Sequence, residues 1–406
     1  MAEEDQREPY QQRYRWVMLA LLWLQYATFG LVSRSISPLV SLILSDLSIS
    51  YSQMGLILGS WQLTYIVASL FAGTIIDKWG VRQSLFFGTV VMSLSAVLRY
   101  FSGSFGSFLL VVALFGIGGP LISIGCPKTI AVWFRGKSRG TAVGIYTTGP
   151  WIGGLIAFTL TNSVVMPLTG YSWRLTFVSY GLLGFIFALL WLLLARDTRA
   201  ADTENPNMVQ LFARLIKTRN VQVILAAGLL SFAIIHGFTN WLPDILESGG
   251  LSPAEAGFTA SLPLFASIPA VLVIPRVVPA YLRKSVLALL ALTAALALMV
   301  SVMASGLLMY AGLVLFGIAG STLLPLLMLV LMETPEVGSR YMGSAGGMFF
   351  CVAEVGGFSG PLLMGALVDI MGTYRGGVVF LASLGLVIFA ISFLLNTRTV
   401  AASDEP

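Results

Sequence analysis

Arg34, Lys128, His236 and Glu354 stand inside, or at the edge of, runs that are otherwise apolar. An ionisable group in hydrocarbon is costly unless it is paired or meets water, so such residues are the first candidates for function. Arg34 offers a permanent planar cation that suits a carboxylate; the alternative is a side chain snorkelling to the headgroups. His236, the single histidine, changes charge near neutrality, or else packs as a hydrogen-bonded ring. Glu354 suits reversible protonation, and hence proton coupling, or serves as the permanent partner of a basic residue. Lys128 follows Pro127 near the end of its run and offers a step on an anion path, or snorkels. Aromatic and amide groups, Tyr26 and Trp241 foremost and Gln25, Trp61, Gln62, Tyr65 and Tyr146 after them, can shape a pocket for a small organic molecule. This chemistry is charge recognition and proton exchange. No HExxH, GxSxG or phosphate-loop pattern occurs, and one histidine with two distant cysteines makes no usual zinc site. The expectation is therefore no catalytic residue, no metal, no cofactor and no enzyme.

The elements that must carry these residues are long apolar segments. They fall at residues 16–36, 52–76, 84–101, 107–132, 141–163 and 174–195, then at 220–242, 255–275, 285–303, 306–332, 343–368 and 376–396. Runs of about 20 residues at 1.5 Å rise each cross a hydrocarbon core of roughly 30 Å. Of the 406 residues, 57% are hydrophobic and only 10% charged, too few to cover a soluble globule. The mean hydropathy is +0.88. The expected fold is thus all-α and polytopic, with twelve transmembrane helices lying in a lipid bilayer. The first fifteen residues carry acidic groups and no cleavage pattern, so the first run reads as a retained span.

Between the sixth and seventh runs lies a charged stretch rich in helix breakers. The expected domains are a six-helix bundle over 1–195, a cytoplasmic linker over 196–219 and a second six-helix bundle over 220–406. Internal echoes support two halves: LFGIGG at Leu114–Gly119 returns as LFGIAG at Leu315–Gly320, Ser138-Arg139 as Ser339-Arg340, and Arg82 as Arg283, all at one constant spacing. Six is an even number, so both halves insert the same way, as parallel repeats about an axis along the membrane normal.

The net charge of +5 does not call for nucleic acid, because the basic residues sit in short loops. Lys78, Arg82, Arg135, Lys137, Arg139, Arg276, Arg283, Lys284 and Arg340 share one side, while Arg99, Arg174 and Arg375 occupy the other. The positive-inside rule then places both termini in the cytoplasm and the chain in the cell membrane.

One of these loops carries a specific pattern: Gly73, Asp77, Lys78, Gly80 and Arg82 in GTIIDKWGVR. It resembles the loop signature of the major facilitator superfamily at every fixed position. Glycines there permit a tight turn and close helix approach, Asp77 can cap a neighbouring helix, and the basic residues can pair across the loop. The resemblance implies a facilitator fold of two parallel-related six-helix bundles, alternating access, and a conformational latch at this loop. The matching stretch of the second half, Pro275–Arg283, lacks the acidic residue.

The segment around Arg34, GLVSRSISPLVSLILSD, resembles the first span of the organic-anion facilitators, both the cyanate and nitroimidazole permease group and the organophosphate antiporters. In those groups a basic residue there engages substrate. IIHGFTNWLPDIL resembles the antiporters' seventh span, with His236 where they carry a second arginine. One fixed cation and one imidazole suit a monoanion better than a phosphate dianion. The implied function is transport of a small, monocarboxylate-like organic anion, by symport or uniport, with Arg34, His236, Tyr26 and Trp241 binding substrate and Glu354 coupling protons. The alternative on the same fold is an exporter of lipophilic or cationic compounds, with Glu354 as the cation site. Two complete bundles in one chain imply a monomer.

Overall fold

The structure is a computed structural model that describes residues 2–135, 137–196 and 215–396. Among the described residues, twelve helices are long and apolar enough to cross a membrane. They are α1 Tyr14–Leu47, α2 Tyr51–Trp79, α3 Val81–Phe101, α4 Phe105–Trp133, α5 Ser138–Leu168 and α6 Trp173–Leu194. The second set is α7 Arg219–Ser248, α8 Pro253–Val277, α9 Ala280–Met303, α10 Leu307–Glu333, α11 Ala345–Met371 and α12 Tyr374–Ser392. The described secondary structure is all helical, as the apolar runs predict.

Two spans outrun their apolar signal. The first run ends at residue 36, yet α1 passes through a 3-10 turn at Ser37–Leu39 and continues as Val40–Leu47. Pro38 opens that turn at a position where no backbone N–H is needed, so the chain bends without stopping. In α5 a π-turn at Thr161–Val165 carries the helix on to Leu168.

The chain forms two compact units, Met1–Ile43 with Leu63–Asp202, and Leu44–Gln62 with Thr203–Pro406. The first half of α2 thus clusters with α7 to α12. Residues 197–214, most of the expected linker, lie outside the described residues.

In the first unit α1 lies backbone to backbone on α5. A Cβ at Gly153 would overlap the carbonyl oxygen of Ala27, and one at Gly30 would overlap that of Pro150. In the second unit α7 and α11 make the same kind of approach, because a Cβ at Gly356 would overlap the Leu229 carbonyl and one at Gly360 that of Ala233. Apolar burial does not drive association between helices in lipid, so such close van der Waals packing is what fixes each pair.

The amino end of α2 is capped from α11. Asp369 accepts from the backbone N–H of Tyr51 at 3.0 Å and of Ser52 at 2.7 Å, and from the Ser52 hydroxyl. Its negative charge also suits the positive end of the helix dipole.

Three outcomes are expected. Replacing Gly153 with leucine destabilises the protein by about 1–3 kcal/mol through overpacking. Gly73→Ala leaves the thermal midpoint in detergent unchanged, since a Cβ there meets nothing within 4 Å. Asp369→Ala costs about 0.5–2 kcal/mol in the same thermal assay, the usual cost of losing a cap.

Candidate functional site

In the first unit, Tyr26 is half-buried on α1 and stacks on Tyr146, with ring centroids 6.0 Å apart. Arg34 is half-buried toward the far end of the same helix. Near this end of α1 in space lies a second cation that the loop reading leaves in solvent. Arg99 is only 1% exposed, donates to Ser35 Oγ at 3.1 Å and lies 4.9 Å from the Phe177 ring centroid. Gln25 is held inside the unit: it donates to the Phe187 carbonyl at 2.8 Å and accepts from the Thr89 hydroxyl.

At the end of α2, Asp77 and Lys128 form an ion pair, bringing together two residues that the sequence singles out for different reasons. Gly80 makes the turn at φ +80°, a conformation that favours glycine. Arg82 donates to the Leu192 carbonyl, and Trp191 returns a bond from its indole N–H to the Arg82 carbonyl at 2.8 Å. Lys78 is exposed. The close helix approach expected of Gly73 is not present at that residue.

In the second unit, His236 from α7, Gln62 from α2 and Glu354 from α11 converge on Gly357. A Cβ at Gly357 would lie 3.0 Å from Glu354 Oε2, 3.4 Å from Gln62 Cγ and 3.4 Å from His236 Cδ2. Gln62 Nε2 stands 3.3 Å from His236 Nδ1 and 3.3 Å from the Gly357 carbonyl oxygen. Rings of Phe232 and Trp61 flank the imidazole at centroid distances of 5.4 Å and 6.1 Å. Gln62 and Glu354 are buried and His236 is half-buried, so this is a polar cluster enclosed by spanning helices.

Trp241 belongs to a different cluster. It lies five residues, about 7.5 Å of helical rise, further along α7. Fully buried, it donates to the Pro361 carbonyl at 3.0 Å and packs on Tyr51 and Tyr374, whose hydroxyl donates to Asp244. Elsewhere in this unit a cavity of about 410 Å³ between α8 and α10 is apolar apart from Arg276 and contains none of the candidate residues.

Sequence reasoning leaves three partners unseen: Gln62 as the neighbour of His236, the buried setting of Arg99, and Glu333, which pairs with Arg283. Helical periodicity places each residue on its own helix, but the contact depends on how distant helices pack. One signal is visible in the sequence. Pro361 stands four residues after Gly357, so that carbonyl must find a donor outside its own helix.

Twelve helices long and apolar enough to cross a membrane, in two helical units with charged and polar groups enclosed among them, define the class as a polytopic membrane protein. The chain belongs to the Major Facilitator Superfamily, whose model matches residues 22–361. This bears out the resemblance carried by the loop after α2. A hexuronate transporter of Bacillus subtilis (strain 168) is 27% identical over 86% of each chain. A probable galactarate/D-glucarate transporter of the same organism is 22% identical, over 94% of this chain and 91% of its own. Among solved structures, a bacterial homolog to the human lysosomal transporter Spinster superposes with a TM-score of 0.75 at 19% identity, over 96% of this chain and 98% of its own. That likeness establishes the fold.

The Asp77–Lys128 pair is partly exposed, at 52% and 27% of the two side chains. A double-mutant cycle with Asp77→Asn and Lys128→Met is therefore expected to give a coupling of about 0.2–1 kcal/mol that shrinks as salt is raised.

Proposed function

We propose that this chain carries a small organic anion with a single carboxylate, of the hydroxylated sugar-acid kind, across the cell membrane by alternating access. The observation that carries the reading is the enclosed cluster of His236, Gln62 and Glu354: polar and ionisable groups are costly among spanning helices and are kept for a solute or ion path. Support for a single carboxylate comes from the relative named for hexuronate, a monocarboxylate; the relative named for galactarate/D-glucarate, which are dicarboxylates, supports a hydroxylated sugar acid only. Arg34 supplies the permanent cation for the substrate carboxylate, His236 a hydrogen-bonding group, and Tyr26 a ring wall. Trp241 takes the role of an anchor that holds α7 on α11, consistent with its satisfied indole N–H.

Glu354 is the proposed proton site, since a carboxyl group that gives up its proton on one side of the membrane and regains it on the other couples proton flow to the solute. Asp77, paired with Lys128, forms the latch at the end of α2 together with Gly73, Lys78, Gly80 and Arg82. That pairing favours a latch role for Lys128 over a place on the anion path. The abundance of Lys and Arg in the loops on one side supports cytoplasmic termini. A monomer suffices for this function, with two repeats in one chain.

The test is uptake of labelled D-glucuronate into proteoliposomes, paired with thermal unfolding of the purified protein. At a concentration one hundred times Kd, glucuronate is expected to stabilise the wild type by about 2.7 kcal/mol. Arg34→Gln abolishes both uptake and stabilisation while keeping the ligand-free midpoint. Stabilisation by organic cations and by no organic acid would instead establish the drug-export reading with Glu354 as the cation site.

A further inference from the structure

Proline has no backbone N–H, so Pro361 leaves the carbonyl of Gly357, one turn earlier in α11, without its helical hydrogen bond. Gln62 fills that place, with Nε2 standing 3.3 Å from the oxygen. A carbonyl oxygen only accepts, so the group facing it is the amide NH2, and the orientation of Gln62 is dictated by the backbone. The same nitrogen stands 3.3 Å from His236 Nδ1. With one N–H directed at Gly357, the second is directed at the imidazole, and Nδ1 has to accept. A ring that accepts at Nδ1 carries its proton on Nε2. Gln62 is 0% exposed, and its Oε1 has no hydrogen-bond partner among the described residues. The orientation is therefore selected by what the NH2 group faces and not by any partner of Oε1.

We propose that Gln62 is a positioning residue that holds His236 as a neutral ring donating through Nε2. This deepens the sugar-acid reading and rests on it for the substrate. His236 then presents a donor instead of a second cation. Cδ2, the ring carbon bonded to Nε2, and Glu354 Oε2 both lie beside Gly357, so the donor edge of the ring and the carboxyl group border one small space. The Nε2–H matches a neutral oxygen, such as the hydroxyl of a hydroxylated monocarboxylate, and a neutral donor gives a second carboxylate no counter-charge. Gln62 thereby selects hydroxylated monoanions over dianions.

Because the chain has a single histidine, ¹⁵N-histidine labelling of the full-length protein in lipid nanodiscs yields one imidazole to read by NMR. At mildly alkaline pH the wild type is expected to show a neutral ring protonated at Nε2. In Gln62→Glu the carboxylate has no hydrogen to give, so the proton appears on Nδ1, and in Gln62→Leu the ring falls back to the mixed equilibrium of a free imidazole, with Nε2–H leading and Nδ1–H populated. A wild-type ring protonated at Nδ1, or an Nε2 tautomer unchanged in Gln62→Glu, overturns the proposal; the wild-type Nδ1 result overturns it even if the variants do not fold. For D-glucuronate uptake, Gln62→Leu raises KM about tenfold with little change in kcat. An unchanged KM alongside the mixed tautomer equilibrium overturns the link to substrate. An Nε2 tautomer that moves to Nδ1 in Gln62→Glu, in a protein that carries no sugar acid, upholds the positioning by Gln62 and overturns the substrate reading alone.

Discussion

In hydrocarbon, a backbone carbonyl released by proline must find another donor, and much of the second unit is arranged around one such carbonyl. Pro361 releases Gly357, Gln62 bonds to it, and the same amide nitrogen faces His236. On the other side of the break, the Pro361 carbonyl accepts from Trp241, tying α7 to α11 a turn and a half beyond the histidine. The glycines Gly356 and Gly360 let α7 come close enough for these bonds to form. A single ring that cannot donate thus organises a helix contact, an amide orientation and a candidate binding group.

The spans were legible in the sequence because hydropathy is a property of each segment by itself. Run 84–101 corresponds to α3 Val81–Phe101, and run 343–368 to α11 Ala345–Met371, with small shifts at the ends. The signal failed where local chemistry and tertiary packing disagree. The first apolar run ends at residue 36, yet Pro38 sits at the start of a 3-10 turn, where the missing N–H has no consequence, and the apolar segment after it continues α1. The first half of α2 clustering with the second unit was equally out of reach. It reflects distant partners such as Asp369 at the amino end of that helix.

Within the candidate site, the titratable members were legible and their partners were not. Arg34, His236 and Glu354 announce themselves, because a charge amid apolar residues is conspicuous in any window. Gln62 is uncharged, lies in a segment with ordinary polar neighbours, and acquires its role only through a proline some three hundred positions away. Arg99 sits at the boundary of an apolar run, where sequence suggests solvent, but the Ser35 hydroxyl and the Phe177 ring enclose it. Placement along a helix follows from composition, whereas burial of a helix end depends on the helices beside it.

The two halves show how one physical task survives loss of its sequence pattern. In the first unit the acid is in the last turn of the second helix, Asp77, and its base is Lys128 on the fourth helix. The second unit has no acid in the corresponding stretch. There the base is at the start of the third helix of its half, Arg283, and the acid, Glu333, ends the fourth. Each pair joins the fourth helix of its half to the junction between the second and third, with the signs exchanged. Arg82, the sequence counterpart of Arg283, is consequently left to bond a backbone carbonyl, that of Leu192. Since Coulomb attraction is indifferent to which partner carries which sign, a repeat can swap its charges and keep the tie while the recognisable loop signature disappears.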